Sequence, residues 1–144
     1  MLISRTVETS ASPDAVFAYL SDFTNTTEWD PGTVETSLVS GDGGVGTVYR
    51  NVSEFNGRKT ELTYTVVQHN APTLFVLEGT NKTVNATDRM EIAPHGTGTK
   101  VTYSAEFKFK GIVKLAVPFL GGAFKKLGDE AEEGLRDALA KLPA

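Results

Sequence analysis

The chain has 144 residues, no cysteine, and 14 Lys and Arg against 18 Asp and Glu, a formal charge of −4 at neutral pH. That length makes residues 1–144 one domain around one core. The missing thiols exclude disulfides, thiolate metal sites and cysteine nucleophiles. The acidic balance argues against a nucleic-acid footprint and against anionic lipid surfaces. No apolar signal segment follows Met1-Leu2-Ile3, and the longest apolar run, Leu115 to Leu120, is too short to span a bilayer. A cytoplasmic chain without stable membrane insertion is the expectation.

All 18 threonines precede Gly111. Threonine is β-branched and favours strands, whereas residues 112–144 are rich in Ala, Leu, Lys and Glu. The pattern is therefore a β-rich body followed by one long helix. After a strand at Leu2–Ser10, Ser12-Pro13-Asp14 supplies an N-cap, a proline at the first helical position and an early acid. Val16, Phe17 and Leu20 then recur at helical spacing. Asn25–Trp29 predicts one further turn, which Asp30-Pro31-Gly32 breaks. Strands follow at Val34–Ser40, Thr47–Phe55, Arg58–His69, Leu74–Thr80, Thr83–Ala93 and Thr99–Lys110, separated by turn residues. Asn56-Gly57 is the strongest hairpin signal among them. In the last strand Val101, Tyr103, Ala105, Phe107 and Phe109 share one face, and Lys100, Thr102, Ser104, Glu106, Lys108 and Lys110 the other, so one side is buried. In the tail Val113, Val117, Leu120, Phe124, Leu127, Ala131, Leu135, Ala138 and Leu142 form an apolar stripe, with a short lead-in, a kink at Pro118 and a main helix to Leu142 expected. The sheet would curl around that stripe.

Gly41, Gly43 and Gly46 spell a dinucleotide fingerprint, but a strand follows them where that motif needs a helix. A glycine-rich hairpin loop fits better. Tyr49, Asn51, Ser53 and Phe55 share one face of their strand, which is either a solvent-facing edge or the wall of a cavity with a few polar groups. Gly121, Gly128 and Gly134 border the helix stripe at a cost of roughly 0.8–1 kcal/mol each relative to alanine; close packing or room for a ligand would explain them. Asp22, Glu28 and Asp30 surround Trp29; a carboxylate pair there could do acid–base work, but capping and surface solvation are the commoner roles of such acids. Asp88 shares parity with Met90 and Ile92. It either points inward, where burial would raise its pKa, or is left wet by a bulge. His69 and His95 sit at turns with no third ligand spaced to join them, so no metal site is expected.

Ser12-Pro13-Asp14-Ala15-Val16-Phe17 and Asp22…Asn25…Glu28-Trp29-Asp30-Pro31 resemble the opening of the polyketide cyclase/dehydrase branch of the START-like (SRPBCC) superfamily. Gly41-Asp42-Gly43-Gly44-Val45-Gly46-Thr47 is similar to the glycine-rich loop of plant pathogenesis-related allergens in the same superfamily. The resemblance implies an α+β helix-grip fold, order β-α-α-β6-α, with seven antiparallel strands gripping the C-terminal helix around a hydrophobic cavity. It places Tyr49, Asn51, Ser53, Tyr103 and Phe107 inside. It also implies a lipid, polyketide or similar small hydrophobic ligand and no cofactor. The candidate ligand-binding residues are Trp29, Tyr49, Asn51, Ser53, Tyr64, Met90, Tyr103, Phe107, Phe124 and Leu127, with the polar end met by Tyr49, Asn51, Tyr64 and Tyr103. Aromatase members use a pocket arginine, whereas Arg50 and Arg89 point outward by parity and Arg58 sits beside a turn. The rival readings are a cyclase or dehydratase using Asp88 or a tyrosine as acid–base group, and an interaction module with a filled core. Oligomeric state is not readable from these strands.

Overall fold

The computed structural model describes all 144 residues. Strand β1 (Leu2–Thr9) leads into helix α1 (Pro13–Leu20), a 3-10 turn (Phe23–Asn25) and the single-turn helix α2 (Thr26–Trp29). Six strands follow: β2 (Thr33–Ser40), β3 (Val48–Phe55), β4 (Arg58–Asn70), β5 (Leu74–Thr80), β6 (Val84–His95) and β7 (Gly98–Phe109). A 3-10 segment (Gly111–Phe119) then precedes helix α3 (Gly121–Ala140). From β2 to β7 each strand pairs antiparallel with the next, and β1 closes against β7, giving the order β1-β7-β6-β5-β4-β3-β2. This is the expected α+β helix-grip architecture, with seven strands and a long closing helix.

Local chemistry accounts for the elements. The Ser12 hydroxyl accepts from the Ala15 N–H at 3.2 Å, and Pro13 opens α1. Val16, Phe17 and Leu20 are the buried face of that helix. Asn56 and Gly57 both carry positive φ, 52° and 81°, as a two-residue hairpin turn with the twist of its strands requires. The Gly41–Gly46 stretch is the β2–β3 loop, with no helix behind it. On β7, Val101, Tyr103 and Ala105 are buried and Lys100 and Lys108 exposed.

The tail has the expected lead-in before its main helix, but the buried stripe is shorter than expected. The apolar spacing runs back to Val113, but Gly111–Phe119 forms a 3-10 helix in which no residue is buried. Three residues per turn replace 3.6 there, so the helical register ends at Gly121. Leu120 is half-buried, and only α3 carries the stripe into the core, through Phe124, Ala131, Leu135 and Ala138, with Leu139 buried beside them.

Two of the glycines bordering that stripe, Gly128 and Gly134, have packing causes, whereas a Cβ on Gly121 would meet nothing within 4 Å. A Cβ on Gly128 would stand 2.7 Å from both Ile3 Cγ2 and Arg5 Nη2 on β1. One on Gly134 would stand 2.0 Å from the carbonyl oxygen of Trp29, at the end of α2. Gly134→Ala is therefore expected to destabilise the fold by about 2–3 kcal/mol and lower the melting temperature by about 6–10 °C. Helix propensity alone predicts the opposite sign. A thermal melt distinguishes them, and a raised melting temperature would show that the α2–α3 contact does not dictate this glycine.

Candidate functional site

Between the concave face of the sheet and α3 lies a cavity of about 680 Å³, lined by 32 residues of which 18 are hydrophobic. Its apolar wall comes from β7 (Ala105, Phe107, Phe109), β3 (Phe55), β4 (Leu62) and α3 (Phe124, Leu127, Ala131). Phe124 organises the aromatic part. Its ring lies 4.8 Å from Phe55, 5.4 Å from Phe107 and 5.7 Å from Phe109, within the range of favourable tilted packing. The mouth lies beside the β3–β4 hairpin, where Asn56, Arg58 and Lys59 line it together with Ile112 and Val113 from the 3-10 segment.

The deeper end is polar. Asp88, on β6, is 5% exposed. Its Oδ2 accepts from Tyr103 Oη at 2.9 Å and its Oδ1 from Tyr64 Oη at 3.4 Å. Burial pushes the Asp88 carboxyl up from 3.8 to about 7; the two phenol hydrogen bonds oppose that rise and the charge of Asp30 adds to it. Tyr64 and Tyr103 are pushed well above the ordinary phenol range, by burial first and then by the charge of Asp88. Gly79 on β5 makes this geometry possible. A Cβ there would lie 2.7–2.9 Å from three atoms of the Tyr64 ring, so only glycine lets that ring cross the sheet toward Asp88.

Asp30 is the second carboxylate on the cavity wall. It closes α2 as a cap, with Oδ1 accepting from Gly32 N–H at 3.1 Å and Oδ2 from Thr33 Oγ1 at 2.9 Å. Burial raises its pKa, against the lowering effect of those hydrogen bonds. The β2–β3 side contributes a hydroxyl and amide chain. Thr26 and Thr36 share a 2.6 Å hydrogen bond, Asn51 Nδ2 donates to Thr36 at 2.9 Å, and Ser53 donates to Asn51 Oδ1 at 2.7 Å. No buried side-chain nitrogen or oxygen lacks a partner. The polar end is thus held in place by the protein's own bonds.

Of the residues singled out in the sequence, the structure brings Trp29, Asn51, Ser53, Tyr64, Asp88, Tyr103, Phe107, Phe124 and Leu127 to one cavity wall. It leaves two out. Tyr49 is buried, but Phe23 from the 3-10 turn covers it, with rings 5.7 Å apart, and its other side faces a separate shallow cleft. Met90, one inward step beyond Asp88 on β6, is buried in the packed core and does not line the cavity. Asp88 points inward rather than being left wet. Phe55, Leu62, Ala105, Phe109 and Ala131 line the wall without having been among the candidates, and so does the carboxylate Asp30, whose cap role concealed it; its place next to the buried Trp29 was the available signal. Arg50 and Arg89 do face outward, each in ion pairs with glutamates. His69 packs edge-on against Phe17 and Phe75. No group of three or more His, Asp or Glu side chains is arranged to hold a metal ion.

An antiparallel sheet gripping one helix over a ligand-sized cavity defines a START-like protein. Residues 2–142 match the family described as polyketide cyclase / dehydrase and lipid transport, and the chain belongs to it. The structure is similar to the Zhui aromatase/cyclase of a Streptomyces species, with TM-score 0.81 and 13% identity over 96% of this chain and 93% of that one. It is similar to a START superfamily protein from Mycobacterium smegmatis, with TM-score 0.79 and 17% identity over 96% of both chains. A Thermus thermophilus protein gives TM-score 0.81 and 13% identity over 96% of this chain and 97% of that one. At such identities the likeness is one of fold. Comparison with curated protein sequences yields no match.

Proposed function

We propose that the 144 residues act as one domain that binds a small, largely hydrophobic molecule in this cavity, its polar end against Asp88, Tyr64, Tyr103 and Asp30. The observation that carries this reading is the segregation of the wall. Phenylalanines and aliphatics line the path from the mouth, and hydrogen-bonding groups collect at the deep end. A volume of about 680 Å³ suits a ligand of drug or polyketide size. Apolar burial would supply affinity at roughly 25 cal/mol per Å², and the polar end would fix orientation. The family supports a small-molecule role of this kind.

Trp29 is the only tryptophan, and its indole lines the cavity with its ring 5.2 Å from Tyr103. Its fluorescence therefore reports occupancy. Titration with a hydrophobic dye or fatty acyl probe is expected to change Trp29 emission saturably. Ala105→Phe, which places a ring in the cavity from the middle of β7, is expected to weaken that binding at least about tenfold while the fold survives. Undiminished binding by that variant would sink the cavity as the site.

A second reading rests on Asp88 itself. A carboxyl at about 7 is poised to exchange a proton at neutral pH, and two phenols hold it in place. That equipment fits a cyclase or dehydratase step on a bound polyketide. Arg58, the one arginine on the wall, stands at the mouth rather than beside Asp88, so the acid–base work would fall to the carboxyl and phenols.

A further inference from the structure

We propose that the mouth of the cavity docks peripherally on an anionic lipid surface, with the Gly111–Phe119 segment entering the interface. The segment is apolar and unpartnered: Ile112 is 82% exposed, Leu115 77% and Phe119 86%, the three most exposed large hydrophobic side chains of the protein. An exposed cluster of this kind on a soluble fold marks an interaction site.

Charge specifies the partner. Between Glu106 and Asp129 the chain carries Lys108, Lys110, Lys114, Lys125 and Lys126 and no acid, although its overall charge is −4. The acidic sum that argued against anionic lipids conceals this segregation. Two other elements extend the basic rim. Arg58 and Lys59 line the mouth from the β3–β4 hairpin. Lys82 sits in the β5–β6 turn, where the next residue, Thr83, accepts a hydrogen bond from the Lys110 N–H. Lys108, Lys125 and Lys126 are ion-paired with Glu106, Asp129 and Glu130. Arg58, Lys59, Lys82, Lys110 and Lys114 make no ion pair, and Glu54 is the one exposed acid on the wall. Alternating lysines and large apolar side chains match an interface where phosphates meet acyl chains. A second copy would present the same uncompensated cations and be repelled. No helix is long and apolar enough to cross a membrane, so the attachment is peripheral. Docked this way, the cavity mouth faces the acyl layer.

The test is co-sedimentation of the whole protein with phosphatidylcholine vesicles, with and without phosphatidylglycerol. Pelleting is expected only with the anionic lipid, and is expected to fall as salt rises. Phe119→Asp, and separately the pair Lys110→Glu and Lys114→Glu, are expected to weaken it at least about tenfold, with unchanged melting temperature. Lys100→Glu, on the outer face of β7, is expected to leave it unchanged. Failure to pellet with anionic vesicles, or pelleting that Phe119→Asp leaves intact, would overturn the proposal. A wild-type dimer that Phe119→Asp dissociates would overturn it in favour of self-association. Dye uptake measured on the same samples separates the two readings. Lost vesicle binding with retained uptake rejects the docking alone, and the reverse rejects the cavity alone.

Discussion

Asp88→Asn is expected to raise the melting temperature at pH 8, leave it nearly unchanged at pH 4, and flatten the dependence between. The sign follows from proton linkage. The folded protein holds the Asp88 proton up to about pH 7, while an unfolded carboxyl releases it near 4. Across that window the native state binds more protons, so stability falls as pH rises. The fall amounts to roughly 4 kcal/mol by the time both forms are ionised. Burial of Asp30 acts in the same direction. Asparagine keeps the shape, accepts from one phenol and donates to the other, and never ionises. Melts of both proteins from pH 4 to 8 decide the matter, and superimposable profiles would show that Asp88 does not titrate near neutrality. The same variant addresses chemistry. If Asp88 is a general acid or base, Asn abolishes turnover of a polyketide substrate while Trp29 fluorescence still reports binding; unchanged turnover removes it from that role. An acid that lowers stability at physiological pH, aimed into a cavity, fits a residue kept for what it does rather than for what it holds together.

The second large effect is expected at Trp29. Trp29→Ala removes the largest fully buried side chain and should cost about 3–5 kcal/mol, a large share of a typical domain's stability. The indole supports Tyr103 from the side, its ring plane at 79° to the phenol. Losing it also frees the Tyr103 hydroxyl from its aim at Asp88. Chemical denaturation checks the size of the loss. A change below about 1 kcal/mol would mean that the cavity refills or that the indole carries little packing.

Much of this was legible in the sequence because it is periodic. Alternation along Val101–Phe109 reported a one-sided strand, and the Phe124–Ala138 spacing reported the helix face that fills the grip. Asn56-Gly57 and Ser12-Pro13 marked their turn and cap through backbone chemistry that few other residues satisfy. What was not legible depends on contacts between elements distant in the chain. Tyr49 has the parity of Asn51, yet Phe23 covers it, and no strand pattern records which loop residue lies above. Met90 has the parity of Asp88, yet it is closed off in the packed core and does not reach the cavity. Asp30 reads as a turn residue because it is one; its second face becomes visible only when α2 is set against the sheet. Residues 111–119 carry the apolar spacing of the stripe, but wound as a 3-10 helix they follow three residues per turn and bury none of it.

The pairing of β1 with β7 has a consequence for how the molecule is made. Strands β2 to β7 form a meander of neighbours, so their contacts close short loops that cost little entropy. Leu2 and Ile3, by contrast, must wait for Glu106 and Ala105, about a hundred residues away. Pairings of such separation slow folding. The hairpins are expected to assemble first, with β1 and α3 closing over them together, since Ile3 and Arg5 meet α3 at Gly128. Until that final step the cavity has no roof. Its phenylalanines are then bare to water, which makes the half-closed sheet the species most exposed to aggregation.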